Sequence, residues 1–185
     1  NELAPAHQNI ITTKEFLDKF YPVNYFDLKN PQNNIVGLPQ GIDGLGLYIN
    51  EDIFKNAGED TNFPVTWQNV ARRASSLTVK DASGSIKTAG IALGTASNVD
   101  HFSDILALMI FQNGGDPKSP LDKQSADALN YYLNFTKGQN KVWDETLPSS
   151  TVAFAGGNLA MYLAPSWRAI EIKNANPLLK FKVKP

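Results

Sequence analysis

The chain has 185 residues, 42% of them hydrophobic, and a formal net charge of -1 at pH 7. This length and apolar content suffice for a hydrophobic core, whereas the evenly spread charge offers neither a basic stripe for nucleic acid nor a cationic face for a membrane. Because these residues include no cysteine and no apolar run near the ~20 residues that cross a bilayer, disulfides, thiol catalysis and a spanning helix are excluded.

Helical and extended patterns alternate in the first half of the chain. A threonine-capped helix is predicted over residues 12–20, and strands are predicted over residues 35–39 and 45–49, separated by a loop rich in glycine. Residues 51–57 predict a brief helix. A longer amphipathic helix follows, with Thr66 as its cap.

The same alternation continues in the second half. Residues 89–94 predict a short buried strand, and the polar loop 95–100 leads to a helix with Phe102 on its apolar face. Ser125 is predicted to cap the next helix. Residues 151–155 predict one or two helical turns before a glycine pair.

The last elements complete the pattern. Residues 159–163 predict a strand, and Pro165 suits the first turn of the helix that follows, where a missing N–H costs nothing. The alternation over residues 180–184 is typical of an edge strand. Strands and helices therefore interleave, which predicts an α/β fold.

Two tryptophans receive different predictions. Trp167 lies where a strand passes into a helix, and α/β sheets bind ligands at the open ends of their strands. An aromatic face there offers apolar area for stacking, although the pattern alone is equally consistent with a core residue. Trp67 keeps the spacing of an apolar helical stripe and is predicted to belong to the core.

Several segments are characteristic in their order and spacing. They are VGLPQGIDGLGLYINEDIF at 36–54, PVTW at 64–67, AGIALG at 89–94, FAGGNLAMYLAPSW at 154–167 and the ending at 176–185. Together they resemble the extracellular solute-binding proteins of bacterial ABC importers, specifically the maltose-binding-protein-like group. The resemblance extends over nearly the whole chain.

The resemblance implies a periplasmic-binding-protein-like fold of class II, in which two α/β lobes joined by a hinge close over a ligand. Residues 1–43 would be the end of the N-terminal lobe and the first hinge strand. Residues 44–180 would be the C-terminal lobe, and residues 181–185 the second hinge crossing. On this basis the chain is expected to be a fragment, mainly the C-terminal lobe with part of the N-terminal lobe.

The resemblance also implies ligand contacts. Trp167 would be the platform on which sugar-binding members stack a pyranose, and Asp43 would be the hinge carboxylate that accepts sugar hydroxyls. The alternative for Asp43 is a loop residue that bonds its own turn. Gln40 and Ser166 are further candidates because they lie beside Asp43 and Trp167 in the sequence.

The loop before the helix of Phe102 matches a region of further family contacts, often aromatic. His101 or Phe102 could supply that aromatic group, and Asp100 is a candidate contact as well. For Asp100 the favoured alternative is that it caps the helix that follows it. His101 would be neutral near a helix N-terminus, where the dipole disfavours a cation, and its alternative is an exposed first-turn residue.

The function implied is the substrate-binding component of an ABC importer that binds a mono- or oligosaccharide without catalysis or cofactor. Its partners would be the sugar and the permease subunits, and it would be extracytoplasmic, in the periplasm or on the cell surface. Asn1 does not open a signal-peptide pattern, so the sequence itself leaves an intracellular location or a removed signal segment. Membrane anchoring is expected only through a lipid signal upstream.

Alternatives are a cell-surface glycan-binding module without a transporter and a binder of another polar solute such as a peptide or polyamine. A glycoside hydrolase would need two positioned carboxylates, and Asp43 with Asp100 is the only obvious pair. A metal site is not predicted, because His7 and His101 fall in unrelated segments.

Overall fold

Residues 11–139 and 141–185 are described by the structure, a computed structural model. The chain divides into two compact units, Asn1–Asp43 and Gly44–Pro185. Their assignment to the two lobes of a binding protein stays a prediction. His7, considered above as a metal ligand, lies outside the described residues.

The first unit contains two short helices, α1 (Thr13–Lys19) and α2 (Pro22–Asp27). The Thr12 hydroxyl accepts a hydrogen bond from the Glu15 N–H, and the Glu15 carboxylate accepts one from the Thr12 N–H, so α1 begins at the predicted cap. The strand predicted over residues 35–39 was wrong. Ile35 makes only an isolated bridge to Lys29, because the described part of this unit holds no second strand to continue the pairing.

The second unit is built on one five-stranded sheet. Its strands are β1 (Leu45–Asn50), β2 (Val79–Lys80), β3 (Ile86–Ile91), β4 (Leu159–Pro165) and β5 (Phe181–Lys184). The order is β2-β3-β4-β1-β5, with β3 and β4 parallel and the other pairs antiparallel. The mixed sheet confirms the α/β prediction, and β5 lies at the edge as predicted.

Six helices belong to this unit within the described residues. They are α3 (Glu51–Asn56), α4 (Trp67–Leu77), α5 (Phe102–Gln112), α6 (Lys123–Asn134), α7 (Ser150–Ala155) and α8 (Arg168–Ala175). Thr66 caps α4 as predicted, since its hydroxyl accepts from the Asn69 N–H. The cap of α6 is Asp122 rather than Ser125, because the Asp122 carboxylate accepts the Ser125 N–H at 2.7 Å. No helix in the described ranges is long and apolar enough to cross a membrane.

The passage from β4 to α8 also differs from the prediction. Pro165 is the last residue of β4, paired with Leu45, and α8 begins at Arg168. The Pro165 carbonyl accepts a hydrogen bond from the Tyr48 hydroxyl at 2.7 Å, which holds this residue in the extended segment. Trp167 is therefore the N-cap residue of α8.

Aromatic side chains fill the core below this passage. Tyr48, Tyr162 and Phe154 are essentially inaccessible to solvent, and their ring centroids lie 5.4 to 6.0 Å apart. Trp67, predicted to be a core residue, packs against the core but is only partly buried. The rigid base formed by the three rings supports the loop that carries Trp167.

Candidate functional site

Trp167 lies just beyond a completely buried strand. Every residue of β4 is buried, whereas the Trp167 side chain is 42% exposed. The Tyr48 hydroxyl approaches the carbonyls of Pro165 and Ser166 at 2.7 and 3.1 Å. This anchors the backbone of the turn, so the indole is presented to solvent from a fixed support.

Two side chains hold the indole in place. The Arg168 guanidinium lies over the Trp167 ring, 4.4 Å from its centroid, a cation–π arrangement. The His101 ring is 5.8 Å from the Trp167 ring at an interplanar angle of 79°. Arg168 and His101 also contact each other, with Nε and Nη2 of Arg168 3.4 and 3.3 Å from Nε2 of His101.

The backbone of His101 explains how its ring reaches this position. His101 is the N-cap residue of α5 and has a φ of 62°, a left-handed conformation uncommon for a residue with a side chain. Because arginine can only donate hydrogen bonds, Nε2 of His101 is the acceptor, and the other ring nitrogen faces the Asp104 carboxylate at 3.5 Å. The His101 side chain is only 20% exposed and lies beside Trp167, so it is not the exposed first-turn residue of the alternative, and its contact with a ligand stays a prediction.

Asp100 caps a different helix from the one predicted. Its Oδ2 accepts from the N–H and hydroxyl of Thr151, at 2.9 and 2.6 Å, and from the Ser150 hydroxyl at 3.2 Å. Burial raises the pKa of Asp100, but these hydrogen bonds and the charge of Arg168 outweigh it and lower the pKa overall. Asp100 therefore fixes the first turn of α7, and its own helix α5 has no side-chain cap.

Asn98 secures the loop that carries Asp100 and His101. Its amide NH2 donates to the carbonyls of Asp144 and Leu147 at 3.0 and 2.9 Å. Its Oδ1 accepts from the indole N–H of the buried Trp143 at 3.0 Å. Sequence reasoning did not assign this role, because all of these partners lie more than 40 residues away in the chain.

The remaining candidates are placed less closely together. Phe102 is 37% exposed and begins α5 next to His101, while Ser166 is exposed beside Trp167. Gln40 and Asp43 are exposed residues of the first unit. The structure thus brings together Trp167, His101 and Asp100, through Arg168, a residue that sequence reasoning missed although it directly follows Trp167.

This arrangement is suited to binding. An exposed indole supplies an apolar face, and the neighbouring Arg168 and His101 side chains can hydrogen-bond to a polar ligand. A glycosidase acid would need a raised pKa, whereas that of Asp100 is lowered. Within residues 11–139 and 141–185, no three histidine, aspartate or glutamate side chains are grouped as metal ligands.

A second aromatic region surrounds Trp67. Two cavities of about 160 and 310 Å³ lie against its indole. The smaller is lined mainly by leucine and valine side chains, and the larger by the amides of Gln68, Gln112 and Asn113 together with Tyr131. Neither is lined by any residue that contacts the Trp167 ring.

Comparison with known families gives one match. Residues 8–185 match the family described as bacterial extracellular solute-binding protein. No curated protein sequence matches the chain.

Solved structures share the fold. A solute-binding protein of an ABC transporter from Thermotoga lettingae, bound with alpha-D-tagatose, is 21% identical with a TM-score of 0.74, over 98% of this chain and 48% of its own. The maltotriose-binding protein of Thermus thermophilus with maltotriose is 18% identical with a TM-score of 0.65, over 99% and 47%. UgpB from Mycobacterium tuberculosis with glycerophosphocholine is 16% identical with a TM-score of 0.72, over 91% and 42%. The chain thus has the periplasmic-binding-protein-like fold and spans about half the length of these proteins.

Proposed function

Because the chain belongs to the bacterial extracellular solute-binding protein family, we propose that it binds a carbohydrate, non-catalytically, with Trp167 as the stacking platform. The observation that carries the proposal is an indole that is 42% exposed yet held by Arg168 and His101. A platform that is ordered before the ligand arrives loses little conformational entropy on binding.

The chemistry of a pyranose fits such a platform. Its C–H faces are apolar and its rim carries hydroxyls, so stacking on an indole and hydrogen bonds to charged or amide groups are both used. Tagatose and maltotriose are bound in two of the solved structures. Glycerophosphocholine in the third supports the alternative of another polar solute.

Site residues divide into two roles in this proposal. Trp167, His101, Phe102 and Ser166 would contact the ligand from the second unit. Asp100, whose carboxylate is engaged by α7, would mainly fix the loop of His101. Asp43 and Gln40, exposed residues of the first unit, stay predicted ligand contacts.

In an importer the ligand would stabilise the closed form of two lobes and be released when permease subunits reopen them. The site of action would be the periplasm or the outer cell surface. The alternative is a surface glycan-binding module that works without a transporter. Because one lobe would supply only part of the contacts, we expect this chain to bind sugar in the millimolar range, equivalent to ~4 kcal/mol.

Titration of intrinsic tryptophan fluorescence with a panel of neutral mono- and oligosaccharides tests the proposal. The titration is made in a Trp67→Phe background, which leaves Trp143 and Trp167 as the emitting side chains. We expect a saturable change in this chain that is lost when Trp167→Ala is added. Phe111→Ala is the matched control, since Phe111 is a 72% exposed aromatic residue elsewhere on α5. A response that survives Trp167→Ala in the Trp67→Phe background, or no response of that background to any sugar, would contradict Trp167 as the platform.

A further inference from the structure

We propose that the second unit carries a second carbohydrate site, separate from Trp167, where Trp67 and Tyr131 form an aromatic corner for one neutral sugar unit. The corner borders the cavity of about 310 Å³ between α4, α5 and α6. The aromatic, amide and acidic residues that line this cavity are Trp67, Tyr131, Gln68, Gln112, Asn113 and Asp127. The site does not depend on the function proposed for Trp167.

The two aromatic rings contact each other edge to face beside the cavity. Their centroids are 6.1 Å apart and the interplanar angle is 69°. The Tyr131 hydroxyl donates to the Trp67 carbonyl at 2.8 Å, which ties α6 to the start of α4. Both rings line the cavity and offer apolar area to a small ring that carries C–H groups on its face.

The amides at the cavity are oriented by their existing hydrogen bonds. The indole N–H of Trp67 donates to Oε1 of Gln112 at 2.8 Å, so the NH2 group of Gln112 stays available as a donor. Nδ2 of Asn113 donates to the Gln124 carbonyl at 2.8 Å, so the Asn113 oxygen stays available as an acceptor. A donor and an acceptor with fixed orientations are what a pair of sugar hydroxyls requires.

Charge and size favour a neutral monosaccharide unit. Asp127, the carboxylate of the lining, is already paired with Lys123, so the cavity offers no uncompensated charge for an ionic ligand. Ligand pockets begin near 300 Å³, so a cavity of about 310 Å³ admits one ring. The adjoining cavity of about 160 Å³ is smaller and mainly apolar.

The indole region of a ¹H–¹⁵N correlation spectrum tests the inference. The chain has three tryptophans, which give three indole N–H signals assignable from Trp67→Phe and Trp167→Phe. In a titration with glucose, mannose and their disaccharides, we expect the Trp67 signal to shift in the wild type and equally in Trp167→Phe. Asn113→Leu keeps the volume and the hydrogen bond from Trp67 to Gln112 but removes the acceptor oxygen, and we expect it to weaken the Trp67 response about fivefold.

Gln139→Leu is the matched control, because Gln139 is exposed and lines neither cavity against Trp67. It should leave the titration unchanged. A Trp67 signal that does not move with any sugar, or that moves equally in Asn113→Leu, would overturn the second site. A Trp67 shift without a Trp167 shift would support the second site while contradicting the function proposed for Trp167.

Discussion

Arg168 acts on several groups around Trp167 at once. Its guanidinium lies over the indole, contacts Nε2 of His101 and pairs with Glu171. Its charge also helps to lower the pKa of Asp100. Stacking and hydrogen bonding thus converge on one side chain, so its loss would affect the orientation of the whole cluster.

Asp100 gives a prediction at the same scale. Asp100→Asn should reduce the free energy of unfolding by about 1 kcal/mol at pH 7, because the charge-assisted hydrogen bonds from Thr151 and Ser150 are weakened while solvent screens part of the effect. Since the folded pKa of Asp100 is lowered, its stabilisation is present above the unfolded pKa of about 3.9 and is lost as pH falls through the folded pKa.

Urea unfolding of both proteins between pH 7 and pH 2 measures this difference. The gap between wild type and Asp100→Asn should narrow below about pH 4. Asp127→Asn serves as control, because that carboxylate is half exposed in a surface ion pair with Lys123. A gap that stays constant down to pH 2 would show that the charge of Asp100 does not stabilise α7.

Residue roles were only partly predictable. The position of Trp167 after a buried strand was equally consistent with a ligand-facing and a core residue, and the structure leaves its side chain 42% exposed. The cap from Asp100 to α7 and the contact of the His101 ring with Arg168 involve residues 50 or more positions away. Local patterns carry information only on residues that are close in the sequence, and these predicted that Asp100 caps α5, the helix that follows it.

A close approach between α4 and β3 yields a prediction for the elements. A Cβ on Gly90 would lie 1.9 Å from the Ala74 carbonyl oxygen, and backbone cannot move aside as a flexible side chain can. Gly90→Ala should therefore destabilise the second unit by about 3 kcal/mol. Thermal or urea unfolding gives the measurement.

Gly44→Ala provides the comparison, because no atom lies within 4 Å of the added methyl group and Gly44 does not have a positive φ. Its effect should stay within about 0.5 kcal/mol. Equal stability of Gly90→Ala and wild type would mean that α4 does not pack as closely on β3 as the structure has it.

Most helices and strands could be predicted because their buried apolar residues recur along the chain with the period of a helix or a strand. β1 and β4 were found within one or two residues, as was the edge strand β5. The strand over residues 35–39 failed because strands require a partner that local sequence does not identify. The prediction that Pro165 lies in the first turn of a helix was wrong for a related reason. A hydrogen bond from Tyr48, far away in the chain, holds Pro165 in β4.

The whole molecule gives a prediction about independent folding. All five strands and the buried aromatic cluster belong to the unit Gly44–Pro185, so a protein of residues 44–185 should unfold in one cooperative transition. Far-UV circular dichroism during heating measures this. A broad, non-cooperative transition would show that residues 1–43 are needed to stabilise the sheet.

At the scale of the whole molecule, family membership was the property that the sequence predicted best. Several short motifs in a fixed order identified the family from the sequence, and residues 8–185 match it. The identity of the ligand could not be predicted from the sequence in the same way. In the proposed site, selectivity would depend on how Arg168 and His101 are arranged around Trp167, and these contacts arise only when β4, α5 and α8 come together.

A crystal structure of the chain, with the neutral oligosaccharide that gives the strongest fluorescence response, would reveal whether Trp167 is the stacking platform. We expect a sugar ring against the exposed part of the Trp167 indole, with the sugar hydroxyls within hydrogen-bond distance of the surrounding polar groups. A saturated crystal in which the sugar lies elsewhere and the indole is bare would contradict it.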